Sequence, residues 1–188
     1  MIRQALHNPV VRFAVSFVFL FALFYGFNLF FFGITSPGNH YSHFLAQYLN
    51  YIAALRQLLL DCSARILNGL GYSAIDNNYE LLVAGRGKLV VVYSCLGLGL
   101  ISFFAAFVLA YPSRLKSKII FLFAGILIIE FLNVARFVLL AIFWSKKTER
   151  IVDHHIIFNI IVYILIAIGL YWWIKLNDKT TSFPAANK

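Results

Sequence analysis

Apolar residues in this chain gather in long unbroken runs, not in the short alternating or 3.6-periodic stretches of a water-soluble core. Three runs are long enough to cross a bilayer as helices: Phe13–Phe32, Ile119–Trp144 and Ile156–Ile174. A fourth, Leu96–Tyr111, lies at the short end of the ~17–25 residues that a spanning helix needs. In hydrocarbon every backbone N–H and C=O must find a partner inside the protein, so these runs are expected to be helices and not open strands. The pattern predicts an all-α integral membrane protein with about four transmembrane helices, near residues 10–32, 96–111, 119–144 and 155–174. Residues 1–176 then form a single polytopic domain and 177–188 a flexible cytoplasmic tail. The first run reads as an uncleaved anchor, because it exceeds a signal-peptide core and no small-x-small cleavage site follows it.

Between the first two runs, residues 33–95 carry a different pattern. Leu45, Tyr48, Leu49, Ile52, Leu55, Leu59, Cys62, Ile66 and Leu67 recur at three-to-four spacing, with Gln47, Asn50, Gln57, Asp61, Arg65 and Asn68 opposite them. This predicts an amphipathic helix too polar to span, lying in the membrane interface and ended by Gly69-Leu70-Gly71. Next, Tyr79–Ala84 and Lys88–Tyr93 are β-prone and flank Gly85-Arg86-Gly87, which predicts a short β-hairpin leading directly to Cys95.

Composition agrees with a bilayer as solvent: 62% of the 188 residues are hydrophobic, 12% are charged and mean hydropathy is +0.83. Soluble domains carry about 25% charged residues. The net charge of +9 does not point to nucleic acid, because the basic residues sit at the ends of apolar runs and form no stripe. Their distribution reports topology instead. Arg3 and Arg12 precede the first span, no Lys or Arg follows it until Arg56, and Pro112–Lys118 carries Arg114, Lys116 and Lys118. With Lys175 and Lys179 behind the last span, both termini are expected in the cytoplasm of a multi-pass protein of the cell inner (plasma) membrane. The segment 33–95 is then extracytoplasmic. One loop, Ser145–Asp153, runs against the rule with Lys146, Lys147 and Arg150, partly offset by Glu149 and Asp153.

This topology gathers three reactive residue types at one membrane face. Cys95 opens the second span on the outer side. Arg136 lies 18 residues beyond Lys118, about 27 Å along a helix and close to the far boundary of a ~30 Å hydrocarbon core. His154 and His155 open the last span on that side. A thiolate at a helix N-terminus near a guanidinium is favoured electrostatically. A histidine can take the thiol proton and return it to a leaving amine. The arginine, always charged, can stabilise an acyl-transfer oxyanion, and Gly97 and Gly99 allow amides after Cys95 to approach it. Each residue also has a structural role to set beside this one. A cysteine at a helix end is commonly a small buried apolar group, an arginine at this depth can snorkel to headgroups, and an interfacial histidine can be a polar anchor. Glu130, in mid-span, must face protein or be protonated. Asn133 can satisfy a neighbouring helix, and Arg86, beside the hairpin turn, reads as a solvated loop charge in preference to a substrate contact. Cys62 and Cys95 would both lie where disulfides persist, although Cys62 falls on the apolar face and reads as a buried thiol. His154-His155 are adjacent and not at i, i+4, so no metal-ligand spacing is present.

The segment Tyr93-Ser94-Cys95-Leu96-Gly97, then Asn133-Val134-Ala135-Arg136, then His155 with Asn159 four residues later, resembles the exosortase/archaeosortase family of integral membrane cysteine transpeptidases. Leu96 stands where the family has a small residue, and Asn159 where many members have glycine. The resemblance covers Val83 to Trp173 and implies Cys95 as nucleophile, Arg136 as oxyanion or substrate-positioning group, and His155 as acid/base, with His154 as the alternative. Gly97, Asn133 and Asn159 would support them. It further implies no metal or organic cofactor. The implied substrates are secreted proteins ending in a tripartite signal: a short motif, one spanning helix and a basic tail, cleaved at the outer membrane face. Two other readings remain: a non-catalytic membrane subunit or scaffold, and a thiol–disulfide protein using Cys62 and Cys95.

Overall fold

In the computed structural model, residues 8–36, 41–143 and 152–178 are described, with side chains of the last helix described for 160–177. Helix α1 (Pro9–Thr35) begins where Asn8 accepts a hydrogen bond from the Val10 N–H and Pro9 fills the first turn, a position that needs no donor. At ~1.5 Å per residue its 27 residues extend about 40 Å. Its most apolar window has no fully buried residue: one face is partly covered, and the rest of its apolar surface is left for lipid. Two more helices are long and apolar enough to cross a membrane: α5 (Leu115–Phe143) and α6 (Val152–Asp178), the latter with its spanning window in Ile160–Asn177. The expected fourth span is shorter than its apolar run. Helix α4 covers Leu98–Ala110, 13 residues and about 20 Å. It starts late because Gly97 turns left-handed at φ +70°. It stops early because Tyr111, ahead of Pro112, is forced into an extended conformation.

Packing of these helices explains their directions. The α1 and α4 pairs Phe13 with Tyr111, Phe17 with Phe107 and Phe21 with Phe103 have ring centroids 6.0–6.1 Å apart, and Tyr25 meets Gly99. As one index rises by four the other falls by four, so α1 and α4 are antiparallel and pack along an edge-to-face aromatic ladder. Between α4 and α5 the Phe104 ring occupies the space that a Cβ would take at Gly125. Trp173 of α6 stacks on Phe121 at 4.8 Å and donates to the Ser117 hydroxyl at 3.1 Å, which fixes the last turns of α6 against the first turns of α5. Lys118 Nζ closes the α4 end by donating to the Leu109 carbonyl at 2.7 Å. Arg12, Arg114, Lys116, Lys118 and Lys175 consequently share one end of the bundle.

The opposite end carries a cap. The single amphipathic helix expected over 45–67 is two helices, α2 (His43–Tyr48) and α3 (Tyr51–Gly69). Asn50 breaks it: its side chain accepts from the Ala53 N–H at 3.0 Å and caps α3 anew. The buried face of α3 is also rotated from the expected one. It comprises Ile52, Arg56, Leu59, Leu60, Ser63, Ala64 and Leu67, whereas Ile66 is exposed. The face is set by packing against α5 and the sheet, not by lipid.

The expected hairpin forms as β2 (Glu80–Val83) and β3 (Gly87–Val90), turning through Gly85 at φ +74°. An unforeseen strand, β1 (Ala74–Asp76), completes an antiparallel sheet of order β1-β2-β3. Asn68 recruits it, with both the Ala74 N–H and the Ala74 carbonyl bonded to its side chain. Ala74, Leu81, Val83 and Leu89 turn inward and join Leu59, Leu60 and Leu67 of α3 with Phe137, Val138 and Ala141 of α5 in one core. All buried residues of α5 lie between Ile129 and Ala141: the cap clothes the far third of that helix, while the near half is only partly covered, by α4 and α6. The loop holding Lys146, Lys147, Glu149 and Arg150, together with Arg3 and the tail from residue 179, lies outside the described residues. α6 itself continues through Asn177 and Asp178, past the point where a loose tail was expected.

Candidate functional site

Where the cap meets the bundle, the chain leaves β3, passes Val91 and Val92 and enters a 3-10 turn, Tyr93–Leu96. Cys95 sits in this turn, half-buried, and not in the first turn of the spanning helix where its position in the apolar run had placed it. Gly97 separates the turn from α4, so the expected stabilisation of a thiolate directly at a helix terminus is replaced by a tighter anchorage. The Cys95 N–H donates to the Val92 carbonyl at 2.9 Å. The Cys95 carbonyl accepts from Arg136 Nη2 at 2.9 Å. Arg136 is only 6% exposed and projects from α5, 41 residues away in sequence. A guanidinium is tolerated at such a site when its donors meet protein acceptors, and here it grips the backbone of the candidate nucleophile itself.

Asn133, one turn before Arg136 and 6% exposed, packs on the same corner. A Cβ at Gly97 would lie 2.6 Å from Asn133 Nδ2, so the glycine is required both by its left-handed φ and by this contact. Asn133 Nδ2 donates to Glu130 Oε2 at 3.2 Å. Glu130 thus faces protein and bonds Asn133, the residue that packs on Gly97. Four residues picked out in sequence, Cys95, Gly97, Asn133 and Arg136, are therefore brought together. After Gly97 the helix has its first backbone bond from Ile101 to the Gly97 carbonyl at 2.9 Å. The N–H groups of Leu98, Gly99 and Leu100 are the unpaired donors of a helix start.

Residues not singled out in sequence as part of the site surround this corner. Asn28, the one amide within α1, donates to Ser102 Oγ and to the Phe24 carbonyl, each at 3.0 Å. It also accepts from the Tyr51 hydroxyl of α3 at 2.5 Å. This chain ties the first span, the cap and α4 to one another. The signal for it was an asparagine inside a lipid-facing run, which needs a polar partner. Tyr93 packs on Phe32 with ring centroids 4.4 Å apart, and its buried hydroxyl meets no hydrogen-bond partner among the described residues. Burial raises the Tyr93 phenol above the ordinary range, and the Tyr25 phenol adds to this. Burial likewise raises Tyr51, with Tyr93 as the second cause. Both phenols stay neutral donors at physiological pH.

Arg86 is not a solvated loop charge. Half-buried, it lies over the Tyr72 ring at 4.8 Å and donates to the Ile142 carbonyl at the far end of α5. Its guanidinium therefore pins the hairpin to that helix end, a place where a cation is favoured. Cys62 and Cys95 are both free thiols in this structure and pack against the same core. Among the described residues no three His, Cys, Asp or Glu side chains are grouped as a metal site would need. His154, His155 and Asn159 belong to the first two turns of α6, and their side chains lie outside the described residues. From Trp173, fixed at the basic end, to His155 is 18 residues, so the helix carries His155 about 27 Å towards the end of the bundle that bears the cap.

A family model described as "Transmembrane exosortase (Exosortase_EpsH)" matches residues 5–172. Among curated proteins and among solved structures nothing matches.

Proposed function

The chain belongs to the transmembrane exosortase family, which supports a membrane transpeptidase-type role, and from that premise we propose that it cleaves the C-terminal sorting signals of secreted proteins through Cys95. The observation that carries the proposal is the bond from a buried arginine of one span to the carbonyl of the cysteine preceding another. A buried guanidinium is costly to maintain in a membrane protein, and its use to hold the backbone of one particular cysteine argues for control over that thiol's position.

In the reaction, the Cys95 thiolate attacks the scissile carbonyl and the electron pair moves onto the carbonyl oxygen. His155, or His154 in the same turn, takes the thiol proton and delivers it to the departing amine. A thioester remains, which water or an acceptor amine resolves. Arg136, bonded to the carbonyl of Cys95 itself, supplies positive charge beside the nucleophile, as oxyanion or substrate-positioning group. The unpaired amides at the start of α4 are further donors for the oxyanion. Orientation follows from the gathering of Arg12, Arg114, Lys116, Lys118 and Lys175 at the end remote from Cys95. With that end in the cytoplasm, the thiol lies at the outer face. A substrate whose basic tail halts in the cytoplasm would present the residues before its own span at that depth.

The test is cleavage, in cells, of precursors carrying five randomised residues ahead of a leucine-alanine span and an arginine-rich tail, read by gel mobility and mass spectrometry. Wild type should release a shortened product, Cys95→Ser should leave the precursor intact, and Cys62→Ser should process normally. Normal processing by Cys95→Ser removes the nucleophile assignment. Loss with both variants transfers the argument to a disulfide couple.

A further inference from the structure

The cap sheet ends on an unpaired strand. In the order β1-β2-β3, β2 is central and β1 rests on α3, which leaves β3 as an edge. Which groups that edge offers follows from the ladder. The Val91 N–H donates to the Tyr79 carbonyl at 2.8 Å, and the register pairs Leu81 with Leu89 and Val83 with Gly87. Alternate residues bond across an antiparallel pair. Gly87, Leu89 and Val91 therefore turn their backbone groups towards β2, while Lys88 and Val90 turn theirs away. On the far side of β2 the Asn77 N–H donates to the Glu80 carbonyl at 2.9 Å, as this parity requires. The outward N–H and C=O groups of Lys88 and Val90 meet no partner among the described residues, and both side chains are exposed.

This edge is aimed. At its start, Arg86 donates to the Ile142 carbonyl; at its end, the Cys95 carbonyl receives Arg136. Ile142 and Arg136 are six residues, about 9 Å, apart on α5, so the segment from 86 to 95 runs from the outer end of that helix inwards and finishes at the residue that carries the thiol. We propose that β3 is the substrate-docking strand: the residues preceding the cleaved bond lie extended along Lys88–Val90, parallel to β3, and are held by main-chain hydrogen bonds.

This rests on the sorting-enzyme reading and adds to it how the substrate is held. The direction follows from the membrane. A precursor with its folded part outside and its C-terminal helix in the bilayer descends the same way as β3, so pairing is parallel, and the scissile bond follows the paired stretch towards Cys95. Strand addition takes its affinity from the backbone. The brevity of β3 and the charge of Lys88, paired with Glu80 at 2.9 Å, discourage pairing between copies while leaving the backbone accessible.

The experiment uses the full chain in detergent micelles and a precursor that wild type cleaves from the randomised pool. Val90→Pro deletes one outward N–H and leaves the β2–β3 bonds intact, because Val90 makes none and proline is accepted on an edge. Val90→Ala keeps the N–H. Strand docking predicts that Val90→Pro raises KM about tenfold with kcat little changed, while Val90→Ala stays within about twofold. Amide exchange gives a second measurement that does not depend on the proline variant folding. The Lys88 and Val90 amides should exchange quickly in free Cys95→Ser protein and slow on adding the precursor. A wild-type KM for folded Val90→Pro overturns the proposal, as do Lys88 and Val90 amides already protected without precursor. If Cys95→Ser is inactive and only these results fail, docking along β3 is wrong and the enzyme reading stands. If Cys95→Ser still cleaves, the enzyme reading itself falls.

Discussion

Gly97 is where the geometry of the site can be tested most sharply, because two independent effects meet there. Alanine at φ +70° meets the left-handed penalty of an L-residue, about 1–2 kcal/mol. Its methyl would also lie 2.6 Å from Asn133 Nδ2, roughly 1 Å inside the ordinary ~3.5–4.0 Å contact. Asn133 is buried and bonded to Glu130, so relief requires movement of α5 or loss of that bond, an overpacking cost of about 1–3 kcal/mol. Gly97→Ala is therefore expected to lose about 2–5 kcal/mol in a reversible dodecyl sulfate titration in mixed micelles. In an Asn133→Ala background the steric part disappears and only the conformational part remains. The double-mutant cycle should give a coupling of about 1–3 kcal/mol favouring the double variant. Equal costs in the two backgrounds, within about 0.5 kcal/mol, would refute the Gly97–Asn133 contact. A neutral Gly97→Ala would refute the left-handed corner as well.

Other perturbations address the remaining parts of the argument. Arg136→Lys should lower precursor processing by about a hundredfold, because the planar fork that fixes the Cys95 carbonyl is lost and sub-ångström placement of the nucleophile goes with it; near-normal processing counts against that role. Asn28→Ala removes the bonds to Tyr51 and Ser102 and should cost about 0.5–1.5 kcal/mol in the same titration, whereas no loss would mean the inter-helix chain is not holding the cap. In a Cys62→Ser/Cys95→Ser background, an impermeant maleimide added to intact cells should label Ile75→Cys and not Lys116→Cys; the reverse pattern inverts the topology. Tyr51 and Tyr93 have raised folded-state pKa values, so their contribution to stability is intact below the ordinary phenol value of about 10 and is lost as pH climbs through the folded values. Alkaline unfolding monitored by the titration midpoint should show this loss, and Tyr51→Phe/Tyr93→Phe should flatten it.

How much of this was legible in the sequence divides along physical lines. A bilayer imposes one strong demand, a run of apolar residues of fixed length, and Phe13–Phe32 and Ile119–Trp144 meet it without reference to anything else in the chain. The same applies to the ends, where Arg12, Arg114, Lys116, Lys118 and Lys175 are the pattern from which sidedness is predicted, independently of packing. Helix rise alone then set the depth of Arg136, and the hairpin followed from β-prone segments around Gly85-Arg86-Gly87. The family resemblance, carried by Tyr93–Gly97, Asn133–Arg136 and His155, was legible for the same reason: each motif is local.

Contacts between distant segments were not legible. The apolar run Leu96–Tyr111 could not reveal that Gly97 turns left-handed, since glycine permits that conformation without requiring it, and the turn is selected by the fit of Asn133. Periodicity over 45–67 ran through Asn50, although the residue caps a new helix, because local capping and hydrophobic phase are separate signals. The buried face of α3 rotated to include Arg56 because its partner is the far third of α5 and the sheet, a surface with its own shape. β1 is three residues long, too short to show a pattern, and exists through Asn68 and the edge of β2. Sequence alone determined which segments are apolar enough for a membrane, which of them carry basic residues at one end and which residue types could share a depth. Only the tertiary structure decided that Arg136 grips the carbonyl of Cys95, that Arg86 holds the hairpin to the end of α5, and that β3 leaves an edge leading to the thiol, because contacts across 41 or 56 residues are chosen by packing in three dimensions.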